Sequence, residues 1–266
     1  MNKQELLKKY NEEEKLLISK VLDKIKFVKG KNRVEITDFL NMYEQKIVKE
    51  ILNKIQEENY ILYGGFEAAE RKLILFYPEK LENIFQEKIP NCNQYINTVR
   101  IELPNEMHGK YVHKNYLSGL MKLGVKREKI GDIIIHDNFC QVVVSEDICD
   151  FIIINLEKVS KNKVKVKEIT VKDIIESEQN FKEISFTVSS LRLDSVIGGV
   201  YNLSRSESLK LIKGEKVHVD YEKIISPSKE IKTNSLISVR GHGRAIIEIG
   251  DMTKKGRIKI RAKIII

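Results

Sequence analysis

Between Ser189 and Arg240 the order of apolar and polar residues permits few folds. Leu193, Val196, Ile197 and Val200 stand at i, i+3, i+4 and i+7, the core-facing stripe of a helix over residues 190–201. Arg192, Ser195 and Gly199 share another face, free to meet a partner. A second helix starts sharply, because Ser204 and Glu207 have capping-box spacing just before Leu209 and Ile212. Lys213 stands in its last turn, and Gly214 is the glycine expected just past its end. Residues 216–220 then alternate, with Val217 and Val219 inward and His218 outward, as a strand does. Pro227 and Thr233-Asn234 mark turns before a strand over 236–239. Two short helices on a small twisted sheet, with cationic side chains on one outer face, satisfy this pattern.

Leu191-Arg192-Leu193-Asp194, Leu203-Ser204-Arg205-Ser206 and Ile212-Lys213-Gly214-x-Lys216-Val217-x-Val219 resemble, in order and spacing, the RNA-binding domain of small-subunit ribosomal protein four, here the S-four-type domain. The sequence departs from the commonest pattern at the hairpin turn, where Asp220-Tyr221 replaces the Asn-Gly of many members.

The charge distribution agrees with a polyanion partner. Residues 184–266 carry ten Lys and six Arg against eight Asp plus Glu, a net +8 of the chain's +9. An excess confined to one third of the chain is an electrostatic footprint rather than general solubility. At 266 residues, 42% hydrophobic and 32% charged, the chain should form two or three globular domains. No apolar run could span a bilayer, and the start MNKQELLKKYNEEEK has no secretory h-region. Cys92, Cys140 and Cys149 lack CxxC spacing, so unpaired, mostly buried thiols in a reducing cytoplasm are expected.

The fold class read from the chain is α+β and multidomain. Residues 1–70 read as an N-terminal helical region. One helix starts after Asn11 with the stripe Leu16, Leu17, Val21, Leu22 and Ile25, and a second starts near Thr37-Asp38. Gly64-Gly65 lacks the GxGxxG and GxxxxGK patterns and reads as a simple turn. Residues 71–170 read as a ferredoxin-like α/β plait. It comprises a strand over 95–103, a helix over 114–123, strands over 133–135 and 140–144, a helix over 145–159 and a strand over 164–169. The apolar run Leu73 to Tyr77 and a helix near 80–88 form an added layer. The aromatic string of RNA-stacking plaits is missing, and Tyr95 and Phe139 read as core or edge residues. Residues 170–185 read as a linker. Residues 184–266 form the S-four-type domain, ending in a strand over 257–265 whose Arg257, Lys259, Arg261 and Lys263 extend the same basic surface.

The five histidines show no HxxxH or HExxH pairing, and no GxSxG or nucleotide fingerprint appears, so no metal, cofactor, small-molecule substrate or catalytic residue is expected. RNA binding needs guanidinium forks and helix N-termini instead, and both recur here. The candidate RNA-binding residues are Arg192, Ser204, Arg205, Ser206, Lys210, Lys213, Lys216, Arg240, His242, Arg244, Lys254, Lys255 and Arg257. Asp194 is cast as the carboxylate that orients a neighbouring Arg.

Four further motifs widen the resemblance. Gly64-Gly65-Phe66-Glu67-x-Ala69-Glu70-Arg71, His113-Lys114-x-Tyr116-Leu117-x-Gly119-Leu120-x-x-Leu123-Gly124, Arg127 through Ile133, and Thr253-Lys254-Lys255-Gly256-Arg257 are similar, over nearly the whole chain, to the YlmH-type bacterial proteins. Genes of that family often lie in the cell-division cluster. The resemblance implies a non-enzymatic, cytoplasmic protein that binds rRNA and tRNA on the large ribosomal subunit, in rescue or quality control of stalled translation. It carries RNA-contact roles to Arg192 and Arg205 only. A monomer is expected, with no membrane partner. The competing classes are an rRNA-modifying enzyme docked by its S-four-type domain and a cell-division adaptor. The enzyme would need a pseudouridine-synthase Asp loop or a methyl-donor glycine loop, and the sequence contains neither.

Overall fold

The computed structural model of the chain describes residues 6–87, 94–104, 106, 109–176 and 181–265. Cys92, His108 and residues 177–180 of the expected linker lie outside them. The chain divides into two compact units, Met1–Ser177 and Glu178–Ile266.

In the first unit, α1 (Glu12–Lys31) starts at Asn11, which forms a full capping box with Glu14, and ends at Asn32 in the left-handed region. Its buried stripe is Ile18, Val21, Ile25 and Val28, which keeps Val21 and Ile25 of the expected one and leaves Leu16 exposed. The second helix, α2 (Met42–Ile55), starts at Asn41 rather than near Thr37. Asn41 and Glu44 make a complete capping box, whereas Thr37 is drawn off to strand pairing: its Oγ1 accepts from Ile74 N.

The segment before residue 70 is not purely helical. Strands β1 (Glu35–Ile36) and β2 (Tyr60–Tyr63) flank β3 (Leu73–Phe76) in an antiparallel sheet ordered β1-β3-β2. The expected boundary at 70 therefore falls inside one sheet. Burial on both faces explains the uninterrupted apolar run of β3. Ile74 and Phe76 pack with Val21, Val28, Val48 and Leu52, while Leu73 and Leu75 pack with Phe39, Ile96 and Val143.

After α3 (Glu82–Glu87) comes the βαββαβ run, in the expected order. It comprises β4 (Ile96–Glu102), α4 (His113–Lys122), β5 (Ile130–Ile135), β6 (Phe139–Ser145) and α5 (Glu146–Asn155), then β9 (Lys165–Ile169) after the two-residue strands β7 (Lys158–Val159) and β8 (Asn162–Lys163). The order β5-β6-β4-β9, antiparallel throughout, is that of a plait. α5 stops four residues short of the expected end because Lys158–Val159 turns back on Asn162–Lys163.

Two of the sequence motifs meet here. The Asp132 carboxylate accepts from the backbone N–H groups of Glu70 (2.6 Å) and Arg71 (3.1 Å), while Arg71 Nε donates to Ile130 O (2.9 Å) and Nη2 to Phe39 O (2.9 Å). Burial pushes the Asp132 carboxyl up, against those two donations, and pushes the Arg127 guanidinium down to about 10. At Gly64 a Cβ would stand 2.6 Å from Ala69 Cβ and from Arg71 O, so this turn is packed shut against its own motif.

The second unit opens earlier than the sequence suggested. Part of the expected linker is β10 (Phe181–Val188), which pairs along its whole length with the C-terminal strand. Then come α6 (Leu193–Tyr201), α7 (Arg205–Lys213), β11 (Val217–Val219), β12 (Glu222–Lys223), β13 (Leu236–Val239), β14 (Gly243–Met252) and β15 (Ile258–Ile265). The six strands run β10-β15-β14-β13-β11-β12, all antiparallel. One sheet face packs Val217, Ile237, Val239, Ala245, Ile247, Ile260 and Ala262 against Leu193, Val196, Ile197, Val200 and Ile212 of the helices.

Three local expectations are corrected. Gly199 does not face a partner, because the Phe186 ring of β10 lies on it: a Cβ there would stand 2.1 Å from the ring. Gly214 has φ −82°, and the left-handed residue after α7 is Glu215 (φ +56°). Gly214 serves close approach instead, since a Cβ would come within 2.9 Å of Lys210 O. The β11–β12 hairpin closes as a type I′ turn, with both Asp220 (φ +51°) and Tyr221 (φ +68°) left-handed. Asp220 offsets its strain, accepting from Leu236 N at 2.8 Å. Tyr221→Gly should therefore raise stability by about 1 kcal/mol, read as a higher denaturant midpoint at unchanged slope.

Candidate nucleic-acid interface

The start of α6 and the start of α7 meet at one carboxylate. Asp194, with a side chain only 1% exposed, accepts from Arg192 Nε (3.1 Å) and Nη2 (2.9 Å), and its Oδ2 lies 3.8 Å from Arg205 Nε. Arg192 and the hydrogen bond from Ser195 N hold the carboxyl below its usual range. The Asp194 backbone is fixed in turn, its N–H donating to Pro227 O (3.2 Å). The Arg192 side chain is 40% exposed and Arg205 78%. Asp194 thus orients the Arg192 guanidinium and stands as a counter-charge near the more exposed Arg205.

The Ser204 hydroxyl is engaged within the capping box, donating to Glu207 Oε2 (2.6 Å) and accepting from Glu207 N (3.2 Å), with Ser206 Oγ 3.0 Å away. Ser206, Lys210 and Lys213 follow at helical spacing on one exposed face of α7. Lys216 and Arg240 are joined through backbone, Arg240 N donating to Lys216 O (2.8 Å), and both are exposed. Beside them the His242 ring tilts against Tyr201 at 5.6 Å, and Tyr201 OH donates to Gly243 O (3.0 Å). Tyr201 is not among the residues that the sequence singles out, since it stands at the end of α6 outside both the core stripe and the basic motifs.

The remaining candidates do not join this cluster. Lys254, Lys255 and Arg257 sit past the far end of β14, roughly 30 Å along the strand from His242 at ~3.3 Å per residue. Arg257 is spent on β10, its Nε donating to Thr187 Oγ1 (2.9 Å) and Nη2 to Thr187 O (2.7 Å).

The basic row of β15 does not extend the helix-side surface either. Ile260 and Ala262 point into the core under the helices, so Lys259, Arg261 and Lys263 point to the opposite face of the sheet. Arg244 shares that face by register. There Glu248 pairs with Lys263 (2.7 Å) and Arg261 (3.9 Å), which blunts the row's charge.

Among the described residues no group of His, Cys, Asp and Glu could hold a metal, and no helix is long and apolar enough to cross a membrane. Cys140 and Cys149 are buried free thiols, and burial raises both pKa values.

Comparisons with known proteins agree with the motifs. Residues 90–173, which span the plait, match the family model described as the putative RNA-binding domain in YlmH. The ribosome-associated protein quality control protein P2 of Bacillus subtilis (strain 168) is 29% identical over 255 residues, covering 94% of this chain and 95% of that protein. In fold the chain is similar to the cell division protein ylmH from Streptococcus pneumoniae, with a TM-score of 0.50 and 20% identity over 63% of this chain and 97% of that one. These matches bear out the resemblance to the YlmH-type proteins carried by the sequence motifs.

Proposed function

We propose that this protein is a non-catalytic RNA-binding factor that acts on the large ribosomal subunit, contacting rRNA and tRNA in the rescue or quality control of stalled translation. The observation that carries the RNA contact is the Asp194-centred pair of arginines at the starts of two adjacent helices. The Arg192 fork, held in place by a buried carboxylate, loses little entropy on meeting a phosphate, and the helix N-termini favour the same charge. The ribosomal setting is supported by the name of the Bacillus subtilis relative, which matches nearly end to end.

If about five phosphates are neutralised, log affinity for structured RNA should fall with log salt at a slope of about −3.5 to −4.5. Arg205→Ala should flatten that slope by roughly 0.7 to 0.9 and leave the melting temperature nearly unchanged, because its side chain is 78% exposed. A slope near zero for the wild type, or an Arg205→Ala slope identical to it, would count against the reading. Sedimentation with large subunits at low salt, lost as salt rises, tests the ribosomal part.

A further inference from the structure

One aromatic side chain on the outer face of the plait belongs to no apolar cluster of the described residues. Phe139 opens β6 and is 8% exposed, yet polar groups cover its ring. The guanidinium carbon of Arg100 lies 3.6 Å from the ring centre, and the His136 imidazole lies at 4.3 Å with planes 28° apart. Two groups this close to one ring centre cannot share a side of it, so the three stack as imidazole, phenyl, guanidinium. Strand register places them on one sheet face. Glu102 pairs with Phe139, Arg100 with Gln141, and His136 closes the hairpin with its N–H on Phe139 O (2.9 Å).

Arg100 is unusual in what it leaves unmade. Its buried Nε has no hydrogen-bond partner among the described residues, and such an orphan ordinarily costs about 1–3 kcal/mol. The nearest carboxylate, Glu102, lies 3.3 Å away in ion-pair rather than hydrogen-bond geometry and is shared with Lys167 at 2.9 Å. The arginine side chain is 26% exposed. The next strand presents the exposed Lys165 and Lys167, opposite Glu102 and Arg100.

From this geometry we propose that the plait carries a stacking platform for an unpaired RNA base. The base lies on the outer plane of the Arg100 guanidinium, which Phe139 and His136 hold flat, and the adjoining phosphates meet Lys165 and Lys167. Stacking on a planar cation accepts any base and is worth about 1–3 kcal/mol. The platform replaces the strand-borne aromatic string that the sequence lacks. It rests on the RNA-binding reading above but uses a different unit of the chain, so the two can fail separately.

The test uses the full chain and a single-stranded RNA of mixed sequence carrying 5-iodouridine, with affinity and crosslinked peptides both read out. Arg100→Lys keeps the charge and removes the plane. It should weaken binding by about tenfold, as expected for one lost stacked base, with the salt slope unchanged. Lys165→Gln combined with Lys167→Gln, both exposed and adding no like charge beside Glu102, should weaken binding and flatten the slope. Crosslinks should map to β4 and β6 and persist when Arg192 and Arg205 are both Ala. If both plait variants bind as wild type and crosslinks fall only in residues 178–266, the platform is overturned while the arginine pair stands. Wild-type protein that binds no RNA overturns both. Capture of a protein instead of RNA by this face, abolished by Arg100→Lys, would also overturn it.

Discussion

Gly199→Ala should destabilise residues 178–266 by about 2 kcal/mol, although alanine is the better helix former. On a solvent-facing helix surface the same change would gain up to ~1 kcal/mol. Here the new methyl would stand 2.1 and 2.2 Å from two carbons of the Phe186 ring. The ring has little room to retreat, because β10 is locked to β15 on one side and Phe186 packs against the core on the other. Overpacking of this kind costs about 1–3 kcal/mol and exceeds the propensity gain. The melting transition of this unit should drop by roughly 10 °C. Phe186→Leu, mildly destabilising alone, should recover part of the loss when combined with Gly199→Ala, since the two changes share one contact. A Gly199→Ala protein as stable as wild type would show that the ring does not sit on this glycine.

The same pair of residues shows where sequence reading stops. Periodicity correctly placed α6 on its core stripe of Leu193, Val196, Ile197 and Val200, because burial against a sheet is written in a 3.6-residue repeat. It left Gly199 on an open face, because the strand that covers it begins within a stretch that reads as linker. β10 is recognisable only by its partner: Phe181 through Val188 alternates weakly, and its pairing with Ile258 through Ile265 joins segments some seventy residues apart. Helix starts, being local, are legible at Ser204, with its capping-box spacing, and at Asn11, while at Thr37 a tertiary strand contact claims the hydroxyl. The candidate interface divides in the same way. The Arg192–Asp194–Arg205 cluster was legible, since its members fall close together in a motif. That the basic row of β15 lies on the opposite face of the sheet required knowing which side the helices cover. The Arg100–Phe139–His136 stack joins two strands and a hairpin turn, and no string of residues announces it.

Asp194→Asn should weaken RNA binding at least as much as Arg192→Ala, even though it removes a negative charge from a basic surface. Charge counting alone gives the opposite sign, because one more net positive charge should tighten binding and steepen the salt slope. Geometry decides against it. The nearly isosteric amide puts an NH2 donor where one carboxylate oxygen stood, so it cannot hold both Arg192 donors, and it gives Arg205 no counter-charge. The Arg192 side chain then regains rotamer freedom that it must lose again on meeting phosphate. The cost in folding is about 2 kcal/mol, the scale for a buried charge-assisted hydrogen bond, with the exposure of Arg192 keeping it below a fully buried pair. The acid limb of stability should change too. Because Arg192 depresses the Asp194 pKa, its stabilisation is complete above the unfolded value of about 4 and is lost as pH falls through the lower folded value. The Asn variant should lack that part of the acid loss, so the gap between the two proteins should narrow as pH falls below about 4. Tighter RNA binding by Asp194→Asn, with a steeper salt slope, would mean that Asp194 only opposes the phosphates and does not position the arginines.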